Sequence, residues 1–377
     1  MRRRTILLCA LCAIGAVPFL WGCSSKEDQG TIRIGVLTPL TGDVASWGDM
    51  QRKSTDLALE EINRAGGIHG RKVEVIYEDC QATPKIGLNA FTKLVDIDKV
   101  QIVVGSPASG VTLAIAPVAN ERKVVLLSSG STATAVGEAG PYVFRIMPSD
   151  EVQAKMMAEW AVSMGLKRVG VIYVQNAWGQ GLKDAFERGF KALGGTITTS
   201  EGTTQESTDY RGPLSKIAAS GADAIYAPLY SRGGGLMARQ ARELGLKQQI
   251  LGADVYATPE YLEVGQNAVE GVLFTRFGSY DGPEYKEYAK TYKDKYGREP
   301  EAYATYCYDA FKVALKAIAE CPAGEVTGEH IRKALLAIKG YQGATGETTF
   351  DGRNSATGKT FERLTIRDGK VLPWKGN

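Results

Sequence analysis

The chain has 377 residues, 44% of them hydrophobic, so it can bury a large core and is long enough for two domains. Its net formal charge is +3, but the first 22 residues contain three arginines and no acidic residue, so the remainder is neutral. The basic balance therefore gives no support for a nucleic-acid or anionic-lipid surface, which needs clustered basic residues. The spacing of the six cysteines predicts neither a disulfide framework nor a metal site.

The amino-terminal segment is typical of an export signal. Arginines at positions 2–4 precede an apolar stretch at 5–20, which is shorter than the ~20 residues of a membrane-spanning helix. The stretch ends in Trp21-Gly22-Cys23, which resembles a bacterial lipobox; an uncleaved anchor helix is the alternative. We expect residues 1–22 to be a signal peptide, 23–30 a lipidated tether, and the rest to lie outside the cytoplasm, anchored to a bacterial membrane through lipidated Cys23.

Short apolar strands alternate with amphipathic helices along the chain. The first set comprises predicted strands at 31–37, 72–77, 100–105 and 124–127, and helices from about residue 50, at 84–95 and at 111–120. The second set comprises strands at 168–174, 222–229, 249–252 and 271–276, and helices at 181–193 and 235–244. Residues 283–339 follow as mainly helical, and 361–372 as a hairpin around Asp368-Gly369. The repeated alternation predicts an α/β fold of two Rossmann-like lobes, with parallel sheets covered by helices.

In open parallel sheets, ligands bind beyond the carboxyl ends of the strands, where the helix N-termini point. Five such positions carry suitable groups: the hydroxyl- and glycine-rich segments 106–110 and 128–132, and the side chains of Trp178, Tyr230 and Asp254. Hydroxyls and free N–H groups suit an anion, whereas a carboxylate suits a cation. Taken singly, each is better explained as a turn, a cap or packing. Their shared position favours a binding site.

Sequence motifs of catalysis are missing, since the chain contains no Walker A, GxGxxG, GxSxG or HExxH pattern. The two histidines are His69, in a glycine-rich turn, and His330, on a polar helix face, and both are explained as structural or solvated. We therefore predict that the chain is not an enzyme and uses no cofactor.

Several segments resemble the leucine/isoleucine/valine-binding proteins of ABC transporters: residues 32–50, 58–70, 75–79 with Pro84-Lys85, and Tyr308-Asp309-Ala310. The resemblance spans about residues 31–372 and implies a type I periplasmic binding protein with three crossovers between its lobes, near 147, 276 and 353. Lobe 1 would then comprise 31–147 and 277–352, and lobe 2 148–276 and 353–377. It further implies a monomer that closes around an amino acid and delivers it to the permease subunits of a transporter.

The resemblance also implies how the two charged ends of the ligand are held. Ser109, Gly130 and Thr132 match positions that bind the α-carboxylate and, in part, the ammonium group. Tyr230 and Asp254 match positions on lobe 2 that contact the ammonium. A zwitterion stripped of water needs both a cluster of donors and a carboxylate, which agrees with this assignment.

Aromatic residues are implied around the ligand side chain, at Trp47, Trp178 and Tyr303. Two departures from the family pattern stand out. Ala108 occupies the position of a family cysteine, so we expect Cys80 to be unpaired or differently paired. Asp254 replaces a longer glutamate, which leaves room for a bulkier or differently seated ligand.

The leading hypothesis is capture of an amino acid, branched-chain or otherwise apolar or aromatic, by hinge closure for import. One alternative keeps the fold but binds an aromatic acid, a short amide or a urea-type ligand. Such ligands lack an α-ammonium group, so Asp254 argues against them. Another is a ligand sensor, which would require a signalling partner.

Overall fold

The computed structural model describes residues 30–42, 44–278 and 280–376. The predicted signal peptide and the lipidation site at Cys23 lie outside the described residues. Among those described, none of the helices combines the length and apolar character needed to cross a bilayer.

The first sheet is parallel and has the strand order β2-β1-β3-β4-β5. Its strands are β1 (Ile32–Thr38), β2 (Val73–Asp79), β3 (Ile102–Gly105), β4 (Val125–Ser128) and β5 (Val143–Arg145). The helices between them are α1 (Ala45–Arg64), α2 (Pro84–Asp96) and α3 (Ser109–Arg122). Every residue of β3 and β4 is buried, which explains why these strands are continuous apolar runs rather than alternating ones.

The second sheet repeats this order in its parallel part, β7-β6-β8-β9-β10. Its parallel strands are β6 (Arg168–Val174), β7 (Thr196–Thr203), β8 (Ala224–Ala227), β9 (Gln249–Gly252) and β10 (Leu273–Phe277). Its helices are α4 (Asp150–Ser163), α5 (Ala177–Ala192), α6 (Arg211–Ser220), α7 (Ser231–Glu243) and α8 (Pro259–Gly265). Two antiparallel strands, designated β14 (Phe361–Arg367) and β15 (Lys370–Pro373), extend the sheet beyond β10. They form the predicted hairpin, with positive φ at both Asp368 and Gly369.

The segment between the second sheet's β10 and β14 packs back onto the first sheet. It contains α9 (Pro283–Tyr296), α10 (Ala302–Ala319), α11 (Gly328–Ala337) and a small antiparallel sheet of β11 (Tyr341–Gly343), β12 (Gly346–Phe350) and β13 (Ala356–Thr357). Phe144 of β5 and Phe350 of β12 meet edge to face, with ring centroids 5.5 Å apart. They belong to one buried cluster with Ile34 and Phe311, whereas the second sheet has its own cluster around Trp160 and Phe186.

Three helices begin about four or five residues before their predicted starts, at Ala45, Ala177 and Ser231. Their first turns contain glycines and therefore look like loops in the sequence. The glycines are required by close packing: a Cβ on Gly48 would lie 2.0 Å from the Pro39 carbonyl oxygen, and one on Gly179 2.3 Å from that of Val174. Close approach thus holds the first turns of α1 and α5 against the preceding backbone.

The three cysteines in the described chain, Cys80, Cys307 and Cys321, are all buried and unpaired. Cys307 lies on α10, and Cys321 lies two residues beyond the end of that helix. Burial raises the pKa of the Cys307 thiol to about 12, so this thiol is neutral.

Candidate functional site

A cleft of about 370 Å³ is lined by residues from both halves of the chain. All eight residues that the sequence singled out for ligand binding line this cleft: Trp47, Ser109, Gly130, Thr132, Trp178, Tyr230, Asp254 and Tyr303.

The topology explains why these residues meet. In each parallel sheet the strand order reverses at one point, between β1 and β3 in the first sheet and between β6 and β8 in the second. A crevice forms at such a point, beyond the carboxyl ends of the strands. Trp47 and Ser109 follow β1 and β3, and Trp178 and Tyr230 follow β6 and β8. The cleft therefore joins the two reversal points.

Hydroxyl groups lock together the loops that follow β3 and β4. Ser128 and Ser131 both donate to the Ser106 carbonyl oxygen, at 2.8 and 2.9 Å, and the Ser128 hydroxyl accepts from the Ser131 backbone N–H at 2.9 Å. The Ser109 hydroxyl, at the first residue of α3, accepts from the Ala133 N–H at 3.2 Å. These bonds fix the positions of Ser109 and of the loop that carries Gly130 and Thr132.

Gly130 lies where no side chain fits. A Cβ there would stand 2.8 Å from both the Pro107 Cα and the Tyr303 ring. The Tyr303 hydroxyl lies 3.4 Å from Ser129 Oγ and donates to Gln51 Oε1 at 3.3 Å. The ring of Tyr303 is consequently held against the loop backbone at the edge of the cleft.

Four aromatic side chains form a continuous aromatic wall across the cleft: Trp178, Tyr230, Trp47 and Tyr303. Trp178 and Tyr230 stack with ring centroids 5.0 Å apart, and Tyr230 meets Trp47 edge to face at 5.5 Å. Trp47 lies 6.4 Å from Tyr303. The wall offers an apolar surface that connects the two halves of the molecule.

Asn176 orients two members of the aromatic wall. Its side-chain oxygen accepts from the N–H groups of Trp178 and Gly179, at 3.1 and 3.0 Å, and caps α5. Its side-chain nitrogen donates to the Tyr230 hydroxyl at 3.0 Å. Both halves of the amide are therefore used.

We expect Asn176→Ala to lower the free energy of unfolding by ~1–2 kcal/mol, because it removes this helix cap. Urea denaturation measures the change. Asn176→Asp is the matched variant, since it keeps the capping oxygen and its second oxygen can accept from the Tyr230 hydroxyl, and it should retain most of the stability. If the alanine variant were as stable as the unmodified protein, Asn176 would not act as a cap.

Asp254 is the acidic residue at the inner end of the cleft. It begins a short 3-10 turn after β9, and its carboxylate accepts from Gln153 Nε2 at 3.0 Å. Burial raises the pKa of Asp254 to about 6, and the bond from Gln153 offsets part of that rise. Among the described residues, no cationic side chain forms an ion pair with Asp254. At neutral pH the cleft thus presents a carboxylate without a protein counter-charge.

Three residues that contact the lining of the cleft were not predicted from the sequence: Asp150, Gln153 and Asn176. Gln153 touches Asp254 across 101 positions of sequence, a pairing that no local pattern announces. Asn176 and the Ser149-Asp150 pair do carry a local signal, because both have the form of helix N-caps. That signal predicts a helix start rather than a place beside a ligand.

The opposite end of the cleft is lined by further aromatic and charged groups. Tyr280 forms a 2.6 Å hydrogen bond with Tyr306 through their hydroxyls, and Arg276 donates to Glu362 at 2.9 Å. Burial raises the pKa of Glu301, which lies directly before α10. This end therefore combines apolar surface with polar groups that are mostly engaged with one another.

The sequence matches a known family over most of its length. The family model for periplasmic binding proteins covers residues 31–369. Leu/Ile/Val-binding protein homolog 3 of Brucella melitensis is 31% identical over 344 residues, which cover 90% of this chain and 93% of that protein. The crystal structure of the leucine-binding protein LivK from Thermotoga maritima shares 32% identity and a TM-score of 0.86, covering 91% of this chain and 98% of that one. LivJ from Streptococcus pneumoniae, solved with isoleucine, has 27% identity and a TM-score of 0.81, covering 90% and 97%. The chain therefore belongs to the periplasmic binding protein family, an extracytoplasmic family of solute-binding proteins.

Proposed function

We propose that this protein captures an amino acid with a branched-chain or other apolar side chain and delivers it to the permease of an ABC importer. The observation that carries the proposal is the carboxylate of Asp254, which has no cationic partner among the described residues and shares one cleft with the hydroxyls of Ser109 and Thr132. An α-amino acid is the small molecule whose two charges match such a pair of ends. The leucine- and isoleucine-binding relatives add support for this ligand class.

Within this proposal, Ser109, Gly130 and Thr132 receive the α-carboxylate of the ligand, while Asp254 and Tyr230 receive its ammonium group. The N-terminus of α3, where Ser109 lies, favours a negative charge. Burial raises the pKa of the Tyr230 hydroxyl to about 12, so it stays protonated and neutral beside the cation.

The remaining aromatic residues, Trp47, Trp178 and Tyr303, are proposed to enclose the ligand side chain. The cleft volume of about 370 Å³ is within the range of small-molecule sites and has room for side chains from valine to phenylalanine. The short Asp254 side chain leaves more space beside the ammonium than a glutamate would.

We further propose that lobe 1 consists of 31–147 and 277–352, lobe 2 of 148–276 and 353–377, and that the lobes close around the ligand as a monomer. Two sheets with separate buried clusters support this division, as does the packing of Phe311 and Phe350 with the first sheet. Closure would bring the donors on lobe 1 and Asp254 on lobe 2 onto the same ligand, and the closed form would dock on the permease.

The finer localisation proposed is attachment to a bacterial membrane by a lipid on Cys23 after removal of residues 1–22. The arginines, the short apolar stretch and the cysteine of the sequence support it. Mass spectrometry of the protein purified from membranes tests the idea directly. An amino-terminal peptide that starts upstream of Cys23, or one that carries no lipid, would refute it.

Isothermal titration calorimetry with the twenty amino acids is the decisive test of the function. We expect leucine, isoleucine, valine or another apolar amino acid to bind with a Kd far below ~1 mM, and benzoate to fail as a competitor. If no amino acid bound more tightly than ~1 mM, the proposed ligand class would be wrong. Tight binding of benzoate would point to the aromatic-acid alternative.

A further inference from the structure

A second carboxyl group lies behind the proposed ammonium site. Asp150 is the first residue of α4, which leads from the first sheet into the second, and its side chain is fully buried. Its backbone N–H donates to the Thr132 carbonyl oxygen at 2.9 Å. One turn further along α4, Gln153 donates to Asp254. The first turn of this helix therefore contacts both the residue proposed to hold the carboxylate end of the ligand and the residue proposed to hold its ammonium.

The Asp150 carboxyl has no hydrogen-bond partner among the described residues at either oxygen. The nearby Arg145 guanidinium does not form an ion pair with it, since its donors point to the carbonyl oxygens of Thr132 and Ala133, at 2.9 Å each, and to Ser355 Oγ at 2.8 Å. A carboxylate in such a site would lose its hydration without a hydrogen bond from the described residues to replace it.

The other titratable groups that face Asp150 make its ionisation still less favourable. Asp254 contributes a second negative charge, while the hydroxyls of Tyr226 and Tyr230 are neutral. Burial, reinforced by the charge of Asp254, raises the pKa of Asp150 well above its usual value. The Thr132 side chain and Arg145 offset part of that rise, although the Thr132 hydroxyl makes no hydrogen bond of good geometry with the carboxyl.

We propose that Asp150 is a positioning residue of the amino-acid site, which keeps its proton in the free protein and releases it to solvent when an ammonium group binds beside Asp254. The inference rests on the proposed function. The O–H bond of the Asp150 carboxyl breaks, its proton passes to the buffer, and the ligand ammonium keeps all its protons. The ammonium neutralises the charge of Asp254, which opposes the ionisation of Asp150 in the free protein, and this supplies the driving force. Capture would then be coupled to pH, and ligands that carry a cation would be favoured over purely anionic ones.

Calorimetric titration of L-leucine, or of the tightest-binding amino acid if that is another one, measures the released proton. The heat of binding is compared at about pH 8 in HEPES and in Tris, which differ in ionisation enthalpy. Asp254, with a pKa of about 6, is already ionised at about pH 8, so it releases almost no proton on binding. We expect a substantial fraction of one proton to be released per ligand bound by the unmodified protein.

Asp150→Asn keeps the size of the side chain and removes the proton. We expect this variant to bind with no proton release and with roughly tenfold lower affinity at about pH 8. The matched control is Glu151→Gln, because Glu151 is an exposed neighbour on the same helical turn. This control should leave the proton release and the affinity unchanged. Infrared difference spectra of the unmodified protein give a second readout, in which binding should remove the band of a protonated carboxyl group.

The outcomes separate this inference from the function on which it rests. Amino-acid binding without proton release, equal release in Asp150→Asn, or an infrared spectrum without loss of a protonated carboxyl band would each overturn the role of Asp150 and leave the function intact. If no amino acid bound at all, the proposed function would fail and this inference with it. If Asp150→Asn did not fold, the infrared measurement on the unmodified protein would decide the matter.

Discussion

Replacing Asp254 with asparagine is expected to weaken amino-acid binding by ~2–5 kcal/mol, because the ligand ammonium would be buried without an opposite charge. Asparagine keeps the shape of the side chain and an oxygen that can accept from Gln153 Nε2. The loss would therefore be electrostatic rather than steric. Titration calorimetry near neutral pH, with the amino acid that the unmodified protein binds most tightly, measures the change.

The same substitution should make the ligand-free protein more stable. Folding raises the pKa of Asp254 from 3.8 to about 6, so the native state holds this proton more tightly than the unfolded chain does. Below about pH 4 both states are protonated and there is no penalty; as the pH rises through about 6 the penalty grows to ~2–3 kcal/mol. Asp254→Asn removes it, so its free energy of unfolding should exceed that of the unmodified protein by ~2 kcal/mol at about pH 8 and by little at about pH 4.

The binding and stability measurements together test whether Asp254→Asn merely damages the structure. Weaker binding with higher stability identifies Asp254 as a residue kept for function at a cost to the fold. Weaker binding with lower stability would instead indicate a damaged structure, and unchanged binding would exclude Asp254 from the site. Asp209→Asn is the control, because Asp209 is exposed, lies in the same half of the chain and does not line the cleft.

The largest loss of stability is expected from Asp309→Ala, at ~3–5 kcal/mol. The Asp309 carboxylate is fully buried on α10 and accepts from the N–H groups of Ala344 and Thr345, at 2.8 and 2.7 Å, and from the Thr345 hydroxyl. Truncation leaves those N–H groups buried without a partner. It also removes the negative charge that stabilises the cation of Lys359, whose pKa burial lowers to about 8.

Urea denaturation followed by circular dichroism measures this effect. Asp294→Ala removes an exposed carboxylate that pairs with Lys290 on its own helix, and it should change stability by less than ~0.5 kcal/mol. A similarly small loss for Asp309→Ala would show that the loop between β11 and β12 is not held by α10. The Tyr308-Asp309-Ala310 segment, on which part of the family resemblance rested, thus has a structural explanation in this contact.

The family and the two-sheet α/β fold were predicted from the sequence and are confirmed. The buried strands were recognisable because β3, β4 and β8 are short apolar runs between turn residues. Several of the elements that were not predicted carry a weak pattern, whereas the start of α4 does carry a helix-capping signal, at Ser149. β7 is an edge strand with the sequence TITTSEGT, and α6 buries only Leu214 and Ile217 of its ten residues. β5, β11 and β13 have only two or three residues each, too few for a periodicity to appear.

The candidate cleft was predictable to the extent that it follows strand ends. The order of the strands in a sheet determines which loops become neighbours, and parallel sheets bring their post-strand loops to one edge. The residues that support the cleft from behind, Asp150 and Gln153, were not predictable in this way. The positions of Asp150 and Gln153 depend on how α4 enters the second sheet, and their partners lie far away in sequence. Contacts of that kind are set by tertiary packing and leave no periodic signal.

The aromatic wall gives the protein a built-in optical reporter. Of the five tryptophans, Trp21 belongs to the predicted signal peptide, Trp47 and Trp178 flank Tyr230 in the cleft, and Trp160 and Trp374 pack on each other 5.0 Å apart. Indole emission depends on the polarity and rigidity of its surroundings, so a ligand that enters the cleft should alter the fluorescence of two indoles and leave the other pair as a constant background. Replacing Trp160 and Trp374 with phenylalanine would then yield an unlabelled sensor whose whole signal arises where the solute is held.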